Sequence, residues 1–232
     1  MLGFVFAQTL LAVLPAVATP QLLIVDKPLA FGPRRLELTR DYIRRHYGRE
    51  VSAITIVPRV VVVHWTATPT LSGAFSRFNR VELDRRRLRL HRAGRVNVSA
   101  QFLVDRDGTV YRLMPETWMA RHCIGLNLDA IGIENIGGGA KWPLTKAQLR
   151  ANAQLVRYLA GKYSTLKFLI GHFEWRNLRR APFFRERDPN YRSSKADPGK
   201  PFIGALRRQL ADLKLASHYP PSVSPPRSRT GR

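Results

Sequence analysis

Val60-Val61-Val62-Val63-His64-Trp65-Thr66-Ala67 sets four β-branched residues in a row and ends them with a histidine. A short run of this kind reads as a strand buried on both faces. The histidine follows at the strand end, where side chains can converge on a cleft. Phe168-Leu169-Ile170-Gly171-His172 repeats the arrangement with a shorter apolar run. Nearer the C-terminal end, Lys195-Ala196-Asp197-Pro198-Gly199 offers a carboxylate in a loop, with a lysine two residues before it. Two imidazoles and one carboxylate are a sufficient set of protein ligands for a catalytic zinc with an open fourth position. Taken singly, His64 and His172 read more readily as core histidines bonded to backbone carbonyls than as ligands. Only the set of three carries the metal reading.

The flanking segments supply an α/β frame. Residues 99–113 form the clearest hairpin, with Asp107-Gly108 as the turn between alternating apolar residues. Residues 131–136 read as a further strand, followed by Gly137-Gly138-Gly139. Residues 145–163 form the best helix: Leu149, Leu155, Val156 and Leu159 recur at helical spacing, and Thr145 can cap the start. Shorter helices are predicted over 38–47, with Thr39 as the cap, over 71–79, and over about 201–215. Strands alternating with helices indicate a domain built on a central sheet. Residues 173–200 form a long connection rich in arginine and proline, and loops of that length are often functional. Residues 85–95 carry six arginines and read more readily as a solvated face than as a binding arm.

At 232 residues, with 44% of them hydrophobic, the chain can bury one substantial core. Its net charge of +23 fits attraction to a polyanion (nucleic acid, an anionic membrane face or an anionic envelope polymer), and equally the high arginine use of a GC-rich genome. A nucleic-acid reading rests on that charge alone, and no specific nucleic-acid partner is expected. The single cysteine, Cys123, excludes an intrachain disulfide and also Cys₄ and Cys₂His₂ zinc sites. No His-Glu-x-x-His occurs. His172-Phe173-Glu174 lacks the Pro-Cys-x-x-Cys that nucleobase deaminase chemistry requires. Residues 2–18 are uncharged and end in the small-x-small stretch Ala16-Val17-Ala18, which is expected as a cleaved export signal, with an uncleaved anchor or a core segment as the lesser alternatives. A periplasmic or envelope location follows from it. The organisation expected is a signal over 1–18, an N-terminal extension over 19–58, a catalytic domain over 59–215 and a disordered basic, proline-rich tail over 216–232.

The strand ending in His64, the stretch SAQFLVDRDGTVYRLMPE, His122, AIGIEN, the Ile-Gly-His at 170–172 and KADPG occur in this order. Together they resemble the zinc-dependent N-acetylmuramoyl-L-alanine amidases, which are related to phage lysozyme-type amidases and animal peptidoglycan recognition proteins. The resemblance runs over about residues 59–210. It implies a central mixed β-sheet flanked by helices, with a zinc groove at one face. It implies one zinc per chain held by His64, His172 and Asp197, with Glu134 as general base and Lys195 stabilising the transition state. Without the resemblance, Glu134 reads as a strand-end carboxylate and Lys195 as a surface lysine. The segment bearing His122 and Asn127 is implied to lie along the substrate groove. His122 suits a substrate or outer role better than a fourth ligand, which would close the metal site. Trp65 could stack on a sugar or peptide face, or pack in the core. The sequence departs from some members at Ser99-Ala100-Gln101-Phe102, which has no tyrosine and places Gln101 where a histidine is common.

The activity implied is hydrolysis of the amide between N-acetylmuramic acid and L-alanine in peptidoglycan or muropeptides, by a monomer. Anionic envelope polymers are possible further partners. The rival expectation is a non-catalytic peptidoglycan-binding module of the same fold.

Overall fold

The computed structural model describes residues 22–220. The expected signal over 1–18, and the part of the expected tail beyond residue 220, lie outside them. In chain order the elements are β1 (Ile24–Asp26), α1 (Pro33–Tyr47), β2 (Val60–Trp65), α2 (Leu71–Asn79), α3 (Leu88–Arg92), β3 (Phe102–Val104), β4 (Val110–Arg112), β5 (Ala130–Asn135), α4 (Lys146–Lys162), β6 (Phe168–Gly171) and α5 (Lys200–Gln209). The six strands form one mixed sheet in the order β1-β4-β3-β5-β2-β6. Only β3 and β4 pair antiparallel, as the hairpin turning at Asp107-Gly108. The other neighbours are parallel.

The β-branched run of β2 takes the position its composition predicts, between β5 and β6, with Val60 to Val63 fully buried. Side chains alternate across the sheet. Val61 and Val63 fall in the larger core with Ile131, Ile133, Leu155, Leu159 and Leu206, so α4 and α5 cover that face. Val60 and Val62 point the other way, toward Leu126, Ile170, Trp175 and Leu178. His64 shares the parity of Val60 and Val62, and so emerges on this second face. It does so at the carboxyl ends of the parallel strands, where open α/β sheets place their ligand sites.

The helix caps follow local chemistry. Thr145 accepts from Gln148 N (3.1 Å) and Gln148 Oε1 accepts from Thr145 N (2.9 Å), a reciprocal capping box at the start of α4. The first helix differs from expectation. It begins at Pro33, whose fixed φ suits a first turn, rather than at a cap on Thr39. Thr39 lies inside the helix and its hydroxyl donates to Arg35 O (2.7 Å). The segment before residue 59 adds β1 to the sheet edge, and α1 adds Leu38, Tyr42, Ile43 and Tyr47 to the core. At the other end, residues expected in the tail pack on the domain. Leu169 N donates to Ala216 O (2.9 Å), and Tyr219 packs by Phe168 and Phe183.

Buried Glu116 ties the hairpin to the end of α4. It accepts from Tyr163 Oη (2.7 Å), Lys162 Nζ (2.9 Å) and Tyr158 Oη (3.0 Å). Burial would raise its carboxyl pKa, but the hydrogen bonds from Tyr163, Lys162 and Tyr158 outweigh burial and hold it below the ordinary value. A carboxylate with a depressed folded pKa adds stability above its unfolded pKa and loses it as pH falls through the folded one. Glu116→Gln should therefore lower stability at pH 7 by about 1–3 kcal/mol. Urea titrations at a series of pH values should show the gap to the parent narrowing below about pH 4.

Candidate metal centre and cleft

Three chain segments deliver three ligand atoms to one point. β2 brings His64, the turn leaving β6 brings His172, and the loop before α5 brings Asp197. His64 Nδ1 lies 2.9 Å from His172 Nδ1 and 3.1 Å from Asp197 Oδ2, and the third side, His172 Nδ1 to Asp197 Oδ2, is 3.0 Å. All three residues are buried. Ligands about 2.0–2.1 Å from a tetrahedral ion stand about 3.3 Å apart. The observed triangle is close to that size.

The surroundings hold each corner in place. Asn135 Nδ2 donates to His64 O (3.0 Å), and Asn135 Oδ1 accepts from Asn152 on α4 (2.7 Å). Glu174 Oε2 accepts from Gly171 N (2.8 Å), which fixes the turn that presents His172. Phe173 N donates to Asp197 O (3.1 Å), so the carboxylate loop is bonded to the same turn.

The outer nitrogen of His64 is also occupied. His64 Nε2 lies 3.1 Å from His122 Nδ1, and His122 Nε2 lies 3.4 Å from Ala130 O. Burial, and then the neighbouring His64 and His172, hold His122 well below the ordinary histidine value, so it is neutral. The assignment that satisfies both contacts has His64 Nε2–H donating to His122 and His122 Nε2–H donating to Ala130. That leaves the Nδ1 lone pair of His64 facing the triangle. Burial, then His64, lowers His172 to about 4, so its ring is neutral as well. Burial would raise Asp197, but hydrogen bonds to His172 and His64 hold it far below the usual carboxylate range. Neutral nitrogens and an ionised oxygen crowded at one point fit a bound cation, which is the test that this donor set meets.

Glu134 pairs with His64 across β5 and β2, so both side chains leave the same face. Its Oε2 is buried and has no hydrogen-bond partner. Burial pushes its pKa up to about 7, partly opposed by His64, Lys195 and Arg77. Lys195 lines the same 230 Å³ cleft, together with Trp65 and His122. Trp65 lies against Gly138. A Cβ there would fall 2.2 Å from the indole Cγ, at a φ of +111° that favours glycine in any case.

Sequence reasoning brings seven of its eight candidates to this cleft: His64, Trp65, His122, Glu134, His172, Lys195 and Asp197. Asn127 is placed differently. It is buried on a smaller cavity of 50 Å³ shared with His122, His172 and Lys195, accepting from His122 N (2.9 Å) and Cys123 N (2.7 Å) and donating to Tyr47 Oη (2.8 Å). Its amide holds the loop that carries His122 and is not free for substrate. Gln101, which had no account from sequence, is a fully buried tie. Nε2 donates to Trp118 O (2.8 Å) and Oε1 accepts from Gly132 N (2.7 Å). The contact of His122 with His64 had no sequence signal beyond Gly132, where a Cβ would meet the His122 ring at 2.9 Å. Arg77 and Arg87 also line the cleft, and neither was singled out as a site residue.

A family model described as N-acetylmuramoyl-L-alanine amidase matches residues 55–200. Among solved structures the chain is similar to the N-acetylmuramoyl-L-alanine amidase LysC from Clostridium intestinale URNW. The identity is 21% and the TM-score 0.51, over 83% of this chain and 99% of that one. It is also similar to the endolysin N-acetylmuramoyl-L-alanine amidase LysCS from the same organism, at 20% identity and a TM-score of 0.51, over 82% and 97%. These likenesses show a shared α/β fold. No curated protein matches the sequence.

If His122 orients His64, His122→Ala should weaken metal uptake without unfolding the chain. A competitive chelator titration with Zn²⁺ should read a loss of about 10–100-fold in affinity, the usual cost of removing a partner behind a metal-ligating histidine. His172→Ala, which removes a corner of the triangle, should bind far more weakly still.

Proposed function

The chain belongs to the N-acetylmuramoyl-L-alanine amidase family, and on that premise we propose that it is a zinc hydrolase. Its substrate would be the amide between N-acetylmuramic acid and L-alanine in peptidoglycan or its muropeptides. The observation that carries this reading is the triangle of His64 Nδ1, His172 Nδ1 and Asp197 Oδ2 with an unpartnered buried carboxylate beside it. His64, His172 and Asp197 would hold one zinc. When bound, the metal supplies Lewis acidity toward an amide carbonyl and toward water.

The remaining roles belong to side chains. Glu134 Oε2 accepts a proton from the attacking water and returns it to the departing amine nitrogen. A partnerless buried carboxylate is costly to keep, and this use accounts for it. Lys195 offsets the negative charge that develops on the carbonyl oxygen. His122 keeps His64 in the tautomer that presents Nδ1. A binding module of the same fold would gain nothing from Glu134 and Lys195 in these places, which favours the catalytic reading. The expected signal over residues 2–18 supports action at the envelope, and the net charge of +23 supports retention on anionic polymers there.

Release of stem peptide from purified sacculi, followed by mass spectrometry, tests the proposal alongside zinc analysis. His64→Ala and Asp197→Ala should lose both zinc and activity. Glu134→Gln should keep its zinc and lose about 10²–10⁴-fold in kcat. Parental turnover in Glu134→Gln, or in a zinc-free variant, would overturn the reading.

A further inference from the structure

One arginine outside the cleft is tied to two of the three ligand segments. Arg207 lies in the last turn of α5, the helix that follows Asp197. Its Nη1 donates to Glu174 Oε1 (3.0 Å), and its Nη2 donates to Leu169 O (2.9 Å) and to Glu174 Oε2. A single guanidinium thus grips both β6 and the turn His172–Leu178 that leaves it. Glu174 carries the grip onward. Its Oε2 accepts from Gly171 N (2.8 Å), one residue before the ligand His172. The path from helix to ligand runs through Arg207, Glu174 and Gly171. Neither Arg207 nor Glu174 pairs with any other charged group among the described residues.

Asp197 joins the same unit from the other end. It stands just before the start of α5, and Phe173 N donates to its carbonyl (3.1 Å). Ile203 and Leu206 sink α5 into the core between these two ends, so the helix acts as a bar. The His172 turn is fastened to that bar twice, beside Asp197 through Phe173 and at the far end through Arg207. One fastening leaves a hinge. Two fix both the separation and the angle of the ligands. Such a constraint is needed because buried acceptors that converge with no donor between them are costly to hold together. His64 requires no equivalent, since its strand is paired on both sides. The Arg207 and Glu174 side chains are only 27% and 14% exposed, so water and salt screen their attraction less than that of a surface pair.

We propose that Arg207 is a positioning residue for the metal site: through Glu174 it fixes His172 relative to Asp197, and so sets the affinity of the site for zinc. The inference rests on the zinc reading of the triangle and not on the reaction. Arginine suits the place because its planar fork reaches both carboxylate oxygens and the Leu169 carbonyl at once. Lysine would bring a point charge that serves fewer of them. Arg157 offers the contrast. It also anchors the end of α5, pairing with Asp212 and donating to Gln209 O (2.7 Å). It does so from α4, and it bonds to no ligand segment. Comparing the two arginines separates anchoring of the helix from positioning of the ligands.

Competitive chelator titration of the full chain with Zn²⁺ tests this, at a temperature where circular dichroism shows each metal-free variant folded. Arg207→Gln should lose about tenfold in zinc affinity, the lower end of the usual cost of removing a partner behind a metal ligand. Arg207→Lys should fall between that variant and the parent. Arg157→Gln should bind zinc as the parent does, although it loses an anchor of the same helix. Glu174→Gln keeps an acceptor for Gly171 N but loses the charge. Adding Arg207→Gln to it should cost little more, because the two residues act in series. The visible absorption of the Co²⁺-loaded chain is a second readout, which Arg207→Gln should shift and Arg157→Gln should leave alone. Parental zinc affinity in Arg207→Gln overturns the proposal. So does an equal loss in Arg157→Gln, or full additivity of the Arg207 and Glu174 losses. Should Arg207→Gln not fold, parental affinity in both Arg207→Lys and Glu174→Gln overturns it instead. A parent that takes up no zinc sinks the zinc reading and this inference together, whereas a parent that binds zinc no better than Arg207→Gln sinks the positioning role alone.

Discussion

Two imidazoles and a carboxylate meet within 3.1 Å in a buried site, and the rest of the fold is arranged to hold them there. Such an arrangement is unfavourable in isolation, because desolvated lone pairs converge with no donor between them. It survives because each corner is fixed by something rigid. His64 ends a fully buried central strand and its carbonyl is tied to Asn135. His172 starts a turn held by Glu174. Asp197 hangs on a loop bonded to that turn. The outer nitrogen of His64 rests on His122, which rests on the Ala130 carbonyl. Movement at any of these would open the triangle.

The parallel pairing of β2 with β5 adds the next element. The register sets Glu134 beside His64, so strand pairing alone puts a carboxylate next to the ligand cluster. Oε2 of that side chain is left bare in the cleft. Beyond it the cleft is polarised, with guanidinium groups toward one cavity and Trp65 toward another.

Much of this was legible in the chain. The β-branched run at 60–63, the hairpin at 99–113 and the capped helix starting at Thr145 each express a local preference that the tertiary structure agrees with. The order of the motifs singled out His64, His172 and Asp197, which the fold brings together. The misplacements share one cause. Asn127 looked like a groove residue because it stands near His122 in sequence, yet its amide is consumed by the backbone of that same loop and by Tyr47. Thr39 looked like a cap because it precedes an amphipathic stretch, but Pro33 starts the helix two turns earlier. Ala216 and Tyr219 looked like tail, since nothing local reveals that β6 has an open edge to pair with.

The sequence by itself determined the kind of fold and the chemical types available to the site. Those depend on local pattern: which stretches are apolar, which are β-branched, and where His, Glu, Lys and Asp fall at element ends. Tertiary structure alone decided which of those groups touch. The His64–His122 contact spans 58 positions and the His64–Asp197 contact 133, and no periodicity links residues so far apart. The same holds for Arg207. Within a chain of 39 basic residues, an arginine that grips a ligand-bearing turn differs from any other only by what the fold places beside it.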